Sequence, residues 1–200
     1  LEGGTIIEGA CAAVVIERPV VNIDDRVELA FADFLLTQRP NLLDPEEPVQ
    51  TLMERVRILG DQLGPILFQL PPQWNVNLRR LDAFLDVLPE GQRFAFEFRD
   101  ESWYTDAIYE LLEEAGAAFC IHDHRDAPSP ERITADWIYV RFHGPRGDYG
   151  GTYPAEALET WAERMVQWEE DGREVYAYFN NDMRGYAVEN ARKLRDLVGP

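Results

Sequence analysis

Arg93-Phe-Ala-Phe-Glu-Phe-Arg99 is followed by the loop Asp100-Glu-Ser-Trp-Tyr-Thr105, then by Asp106-Ala-Ile-Tyr-Glu-Leu-Leu-Glu-Glu-Ala115 with Gly116, and then by Ala117-Ala-Phe-Cys-Ile-His122. The first and last of these segments are short apolar runs rich in aromatic residues, which reads as strand, and the segment between them is an amphipathic helical stretch. Thr105 stands where an N-cap belongs, and Gly116 where a left-handed residue ends a helix. A strand, a helix and a second strand joined this closely imply a right-handed crossover and parallel pairing.

The same rhythm extends in both directions. Candidate strands are Ile66 to Leu70, Arg93 to Phe98, Ala118 to His122, Trp137 to Phe142 and Glu174 to Phe179. They are nearly continuous apolar runs, as suits strands covered on both faces. Asp44-Pro-Glu-Glu opens a helical stretch ending near Leu63, with Gly64 as its stop. Asn77 caps Leu78 to Leu88, where Leu78, Leu81, Leu85 and Leu88 share a face. Tyr153-Pro154 opens a helix that Gly172 closes, and Ala187 to Val198 forms the last.

Five strand-to-helix steps leave two α/β architectures, an open doubly wound sheet or a closed barrel. No G-x-G-x-x-G or G-x-x-x-x-G-K loop follows any strand, which disfavours the nucleotide-binding open sheet. The expected fold is therefore a TIM-type (β/α) barrel in a single domain spanning residues 1–200. The first 40 residues fit poorly, offering Ala12 to Ile16 as one strand and Val27 to Leu36 as one helix. A complete eight-unit barrel takes about 250 residues. An incomplete or divergent N-terminal end is expected, with an exposed barrel edge through which a homodimer would form.

The chain has 200 residues, 46% of them hydrophobic, and a formal net charge of -18. Such a field repels phosphate backbones, so broad nucleic-acid binding is not expected, although a locally basic pocket is compatible with it. No stretch reaches the roughly 18 to 20 apolar residues of a membrane span, and Leu1 to Ile16 has no basic start; a cytoplasmic protein is expected. Cys11 and Cys120 lie in apolar settings without Cys-x-x-Cys spacing and read as buried structural thiols.

In parallel β/α folds chemistry gathers where strands end. Those positions hold Gln69; Glu97 and Arg99; His122, Asp123 and His124; Arg141 and His143; and Asn180, Asn181 and Asp182. Glu97, inside an aromatic strand, is costly to bury unless paired, which makes it a candidate general base; held by Arg99 or Arg141 it would be a fixed ion pair without chemistry. His143, before a Gly-Pro turn, is a candidate acid or base near neutral pH, against the alternative of a hydrogen-bonded spacer. His122 and His124 alternate on an extended segment and are candidate metal ligands, or solvated loop residues. Asn180 suits a ligand contact and Asp182 a cap. Trp74, Trp103 and Tyr149 lie in loops, Trp103 reading as core or rim packing and Tyr149 as part of a mobile loop. No cofactor is named by any motif.

Leu63-Gly-Pro-Ile-Leu-Phe-Gln-Leu-Pro-Pro72, Phe96-Glu-Phe-Arg-Asp-Glu-Ser-Trp103, Tyr139-Val-Arg-Phe-His-Gly-Pro145 and Val175-Tyr-Ala-Tyr-Phe-Asn-Asn-Asp182, in this order, resemble the YecE-like family, a domain of unknown function. The resemblance covers residues 42–198. It implies a TIM-type barrel and a pocket of Gln69, Glu97, Arg99, Arg141, His143, Asn180 and Asp182, and it supplies no reaction. The family's Gly-Thr-Ser-Gly-Trp strand and its later Glu-x-Asn segment do not occur before Leu42, so the first strands are expected to be absent or altered. Two functions compete. One is an enzyme acting by acid/base chemistry on a small polar or anionic metabolite, with Glu97 and His143 catalytic and Gln69, Arg99, Arg141, Asn180 and Asp182 binding. The other is a non-catalytic binding or remnant protein whose polar cluster is structural.

Overall fold

The computed structural model describes residues 12–16, 45–125 and 127–199, with backbone alone for 12–16 and 61. Cys11, the Val27 to Leu36 helix and the Asp44 cap lie outside the described residues. The elements in order are β1 (Ala12–Ile16), α1 (Glu46–Val56), a 3-10 segment (Arg57–Gln62), β2 (Ile66–Gln69), α2 (Leu78–Leu85), β3 (Phe94–Glu97), α3 (Asp106–Glu114), β4 (Ala118–His122), β5 (Trp137–Phe142), α4 (Ala155–Glu170), β6 (Glu174–Phe179) and α5 (Tyr186–Val198). All five strands expected beyond residue 63 form. Among the described residues no helix is long and apolar enough to cross a membrane.

The helix ends show which local signals acted. The Asn77 side chain accepts the Arg80 N–H at 3.1 Å and starts α2 as expected. Thr105 stands at the N-cap of α3 without a side-chain bond. The first helical stretch breaks before Gly64: α1 ends at Val56, and Gly60, at φ 51°, kinks the 3-10 segment. Gly116 and Gly172 take φ of 62° and 82° just beyond α3 and α4, where a side chain would be strained.

The chain divides into two compact units. One contains β2, β3 and β4 up to Ile121, with their helices and Ser129–Asp136. Its strands are parallel, with Ile66 opposite Phe94, Gln69 opposite Glu97 and Phe96 opposite Phe119. Alternation sorts the side chains. Phe68, Phe94, Phe96, Phe98 and Phe119 share one face and pack as an aromatic layer, Phe68 meeting Phe84 of α2 edge-on at 4.9 Å and Phe119 meeting Tyr109 of α3 at 5.3 Å. The opposite face carries Leu67, Ala95 and Ala118 and then, at the carboxyl ends, Gln69, Glu97 and Cys120.

The other unit holds β1, His122–Pro128 and the chain from Trp137 onward. Here β5 and β6 pair in parallel, Arg141 opposite Tyr178 and Phe142 opposite Phe179. Phe142 and Phe179 stack at 4.4 Å on the face that meets Trp161 of α4. Tyr139 and Tyr178 stack at 4.7 Å on the opposite face, which continues into Arg141 and Asn180. β1 runs antiparallel to β6, Ala12 opposite Phe179, whereas a barrel strand in this order would be parallel. Five strands in parallel pairs and one antiparallel strand are thus described, against eight parallel strands in a complete barrel.

Candidate functional site

The residues singled out at the strand ends fall into one polar cluster in each unit. In the first, Glu97 and Cys120 are completely buried and Arg99 is 6% exposed. Arg99 follows Glu97 by two residues, so both side chains leave on the same side. Its Nε–H donates to Glu97 Oε1, and its Nη2 donates to Gln69 Oε1 at 3.3 Å. The Cys120 thiol donates to Glu97 Oε2 at 3.6 Å. Both carboxylate oxygens are therefore engaged, which is what makes a buried carboxylate tolerable. Arg99 is one of the two arginines the sequence offered as its partner. Tyr104 donates to Phe98 O at 3.1 Å, and burial first, then the Glu97 charge, hold its phenol well above the ordinary range. Trp103 belongs to the core: it is 1% exposed, stacks on Phe98 at 4.8 Å and donates its indole N–H to Trp74 O at 2.5 Å.

The second cluster centres on His143, which is completely buried. Asp123 Oδ1 accepts the His143 backbone N–H at 2.6 Å and lies 3.4 Å from its ring Nδ1. Asp123 Oδ2 accepts the hydroxyl of Tyr153, and that hydroxyl accepts the Gly144 N–H at 2.7 Å. The rings of His122, His124 and Tyr149 stand edge-to-face to His143, with centroids 5.8, 5.4 and 5.2 Å away. The alternating imidazoles thus do converge, and their common neighbour is a third imidazole. Among the described residues no group of three or more His, Cys, Asp or Glu side chains is placed to hold a metal ion. Arg141, 3% exposed, donates Nε–H to Asn180 Oδ1 at 3.2 Å, and the Asn180 N–H is anchored on Phe142 O at 2.7 Å. Asp182 takes the N-cap position of the 3-10 turn Met183–Gly185 with no side-chain cap bond.

The loop after β5 is folded back on itself. Tyr149, at φ 64° and 43% exposed, donates its N–H to His143 O at 2.6 Å, and Gly147 donates to Gly144 O at 2.7 Å. Gly147 sits at φ 63°, where an added Cβ would collide with the backbone of Asp123 and Arg125. Gly147→Ala is expected to cost about 2 kcal/mol, read as a lower urea midpoint. An unchanged midpoint would mean that the loop is not held against Asp123.

Of the residues that organise these clusters, Asp123 and Asn181 stood among the strand-end positions without an assigned task, Tyr153 was read only as the opening of a helix, and Asn190 was not singled out. Asn190 Oδ1 accepts from Tyr153 N at 3.2 Å and Asn181 Nδ2 at 2.9 Å, while its own Nδ2 donates to Thr152 Oγ1 at 2.9 Å. A signal for it existed, because Asn190 interrupts the apolar stripe Ala187, Ala191 and Leu194 of α5.

The family model described as "Protein of unknown function DUF72" matches residues 32–200, beginning ten positions before the boundary expected from the motifs. The UPF0759 protein YunF of Bacillus subtilis (strain 168) is 27% identical over 70% of this chain and 59% of its own length. The chain thus spans about three fifths of the curated relative it matches. A DUF72 family protein from Thermotoga maritima MSB8 has a crystal structure that superposes with a TM-score of 0.69 at 25% identity, over 87% of this chain and 70% of that one. One from Enterococcus faecalis V583 does so with a TM-score of 0.68 at 18% identity, over 85% and 71%, a likeness of fold.

Proposed function

This chain belongs to the DUF72 family, and from that premise we propose that it is an enzyme acting by acid/base chemistry on a small polar or anionic molecule, with His143 exchanging the proton. The observation that carries the reading is the Asp123–His143 pair: a fully buried imidazole at a strand end, 3.4 Å from a carboxylate that also fixes its backbone. A carboxylate beside a buried ring nitrogen is an arrangement suited to general acid/base catalysis. In the same unit, Arg141, steadied by Asn180, supplies a guanidinium suited to a carboxylate or phosphate group. For Glu97 the sequence offered a general base or a fixed ion pair. An arginine and a thiol already occupy its oxygens, which favours a fixed ion pair within the other unit.

The test is a thermal-shift screen of the purified protein against sugar phosphates, small carboxylic acids, nucleosides, short oligonucleotides and divalent metal salts, with His143→Gln alongside. A phosphorylated or carboxylated small molecule is expected to raise the melting temperature and to be converted by the wild type but not by His143→Gln, as followed by NMR. A compound that binds both proteins and is converted by neither would favour the binding-protein reading. A screen in which nothing binds would overturn the proposal.

A further inference from the structure

Asp123 joins the backbone at β5's end, the His143 ring and Tyr153 just ahead of α4, and Tyr153 is what fixes its second oxygen. A carboxylate held by one oxygen alone can turn about its Cβ–Cγ bond, and Asp123 is 28% exposed, so water competes for it. Tyr153 removes that freedom. Its hydroxyl donates to Oδ2 and accepts from Gly144 N, while Oδ1 receives His143 N, so two consecutive backbone N–H groups clamp the carboxylate, one directly and one through the phenol.

Tyr153 is itself immobilised from both sides. Its ring, 6% exposed, meets Phe142 edge-on at 5.5 Å and Phe179 at 5.9 Å, and its backbone N–H is bound to Asn190. Resting on the acid/base reading above, we propose that Tyr153 is the positioning residue of this site, holding Asp123 Oδ1 on the His143 ring. Burial, followed by the Asp123 charge, keeps the phenol protonated far beyond neutral pH, so it remains a donor wherever the imidazole titrates. The titratable groups facing His143 include Asp123, itself bound by Tyr153, and His122, His124 and Tyr149 against its ring.

The experiment follows the three histidines of the chain by NMR as a function of pH, with His143→Gln assigning the His143 signals. Tyr153→Phe keeps the ring in its slot and removes the hydroxyl. Asp123 is then expected to turn toward solvent, and the pH at which His143 titrates to fall by about one unit, the size of a lost neighbouring charge. In an Asp123→Asn background the same Tyr153→Phe change should leave that pH where it was, because the effect passes through the carboxylate. A fall of equal size in both backgrounds would overturn the proposal, as would no fall in the first. Should Tyr153→Phe not fold, the wild type decides: a slowly exchanging Tyr153 hydroxyl proton close to the Gly144 amide is expected, and its absence overturns the assignment. None of these readouts needs a substrate, so a failed ligand screen and a failed positioning role are separate results.

Discussion

Glu97→Gln is expected to lower the unfolding free energy by about 3 to 5 kcal/mol, because it breaks a buried ion pair from one side. The reason lies in what remains. Arg99 is 6% exposed, so with Glu97 neutral a guanidinium in the interior loses the carboxylate it donates to. The amide also places an NH2 where either the guanidinium or the thiol now donates, so one of the two contacts is opposed. Urea melts of wild type and variant measure the loss. The companion is the double variant Glu97→Met, Arg99→Met, in which neither charge is buried; its stability should return to within about 1 kcal/mol of the wild type or exceed it. A more stable Glu97→Gln would instead identify a carboxylate kept under strain for catalysis, and would return Glu97 to the role of base.

The Glu97–Arg99 pair also shows what the sequence made legible. An acid among phenylalanines is conspicuous, and the period of two that buries Phe96 and Phe98 on one face sends Glu97 and Arg99 to the other, so their meeting followed from spacing. The strands were legible for the same reason, since each is a short apolar run between polar turns. What spacing does not carry is the partner from elsewhere in the chain. Asp123 and Tyr153 are 30 residues apart and Tyr153 and Asn190 are 37 apart, and these contacts follow from how β5, α4, β6 and α5 stack. Turn chemistry was misplaced for a related reason: Gly64 looked like the stop of the first helical stretch, but the α-helix ends at Val56 and the positive φ falls at Gly60, inside the 3-10 segment that follows. The antiparallel pairing of β1 was equally hidden, because a five-residue apolar strand reads the same in either direction.

Asn190→Ala is expected to cost about 2 to 4 kcal/mol, although it removes a side chain from a helix and installs the best helix former. The gain in propensity is at most about 0.7 kcal/mol. Against it stands the loss of an acceptor that two donors share: Tyr153 N–H at 3.2 Å and Asn181 Nδ2 at 2.9 Å. Asn181 retains Gly151 O at 2.7 Å, so the Tyr153 N–H bears most of the loss, buried beside a cavity the size of the missing amide. The neighbouring Glu189→Ala sets the scale for a surface change. It breaks an ion pair with Lys193 at 2.9 Å whose side chains are both about half exposed, worth only a few tenths of a kcal/mol. Equal effects of the two variants in thermal melts would mean that Asn190 is not holding the loop. If Asn190→Ala melts early as expected, its second consequence follows from the same geometry: with Tyr153 released at its backbone, the hydroxyl that fixes Asp123 loses its support. The His143 titration should then move in the same direction as in Tyr153→Phe, by a smaller amount, since the ring is still packed between Phe142 and Phe179.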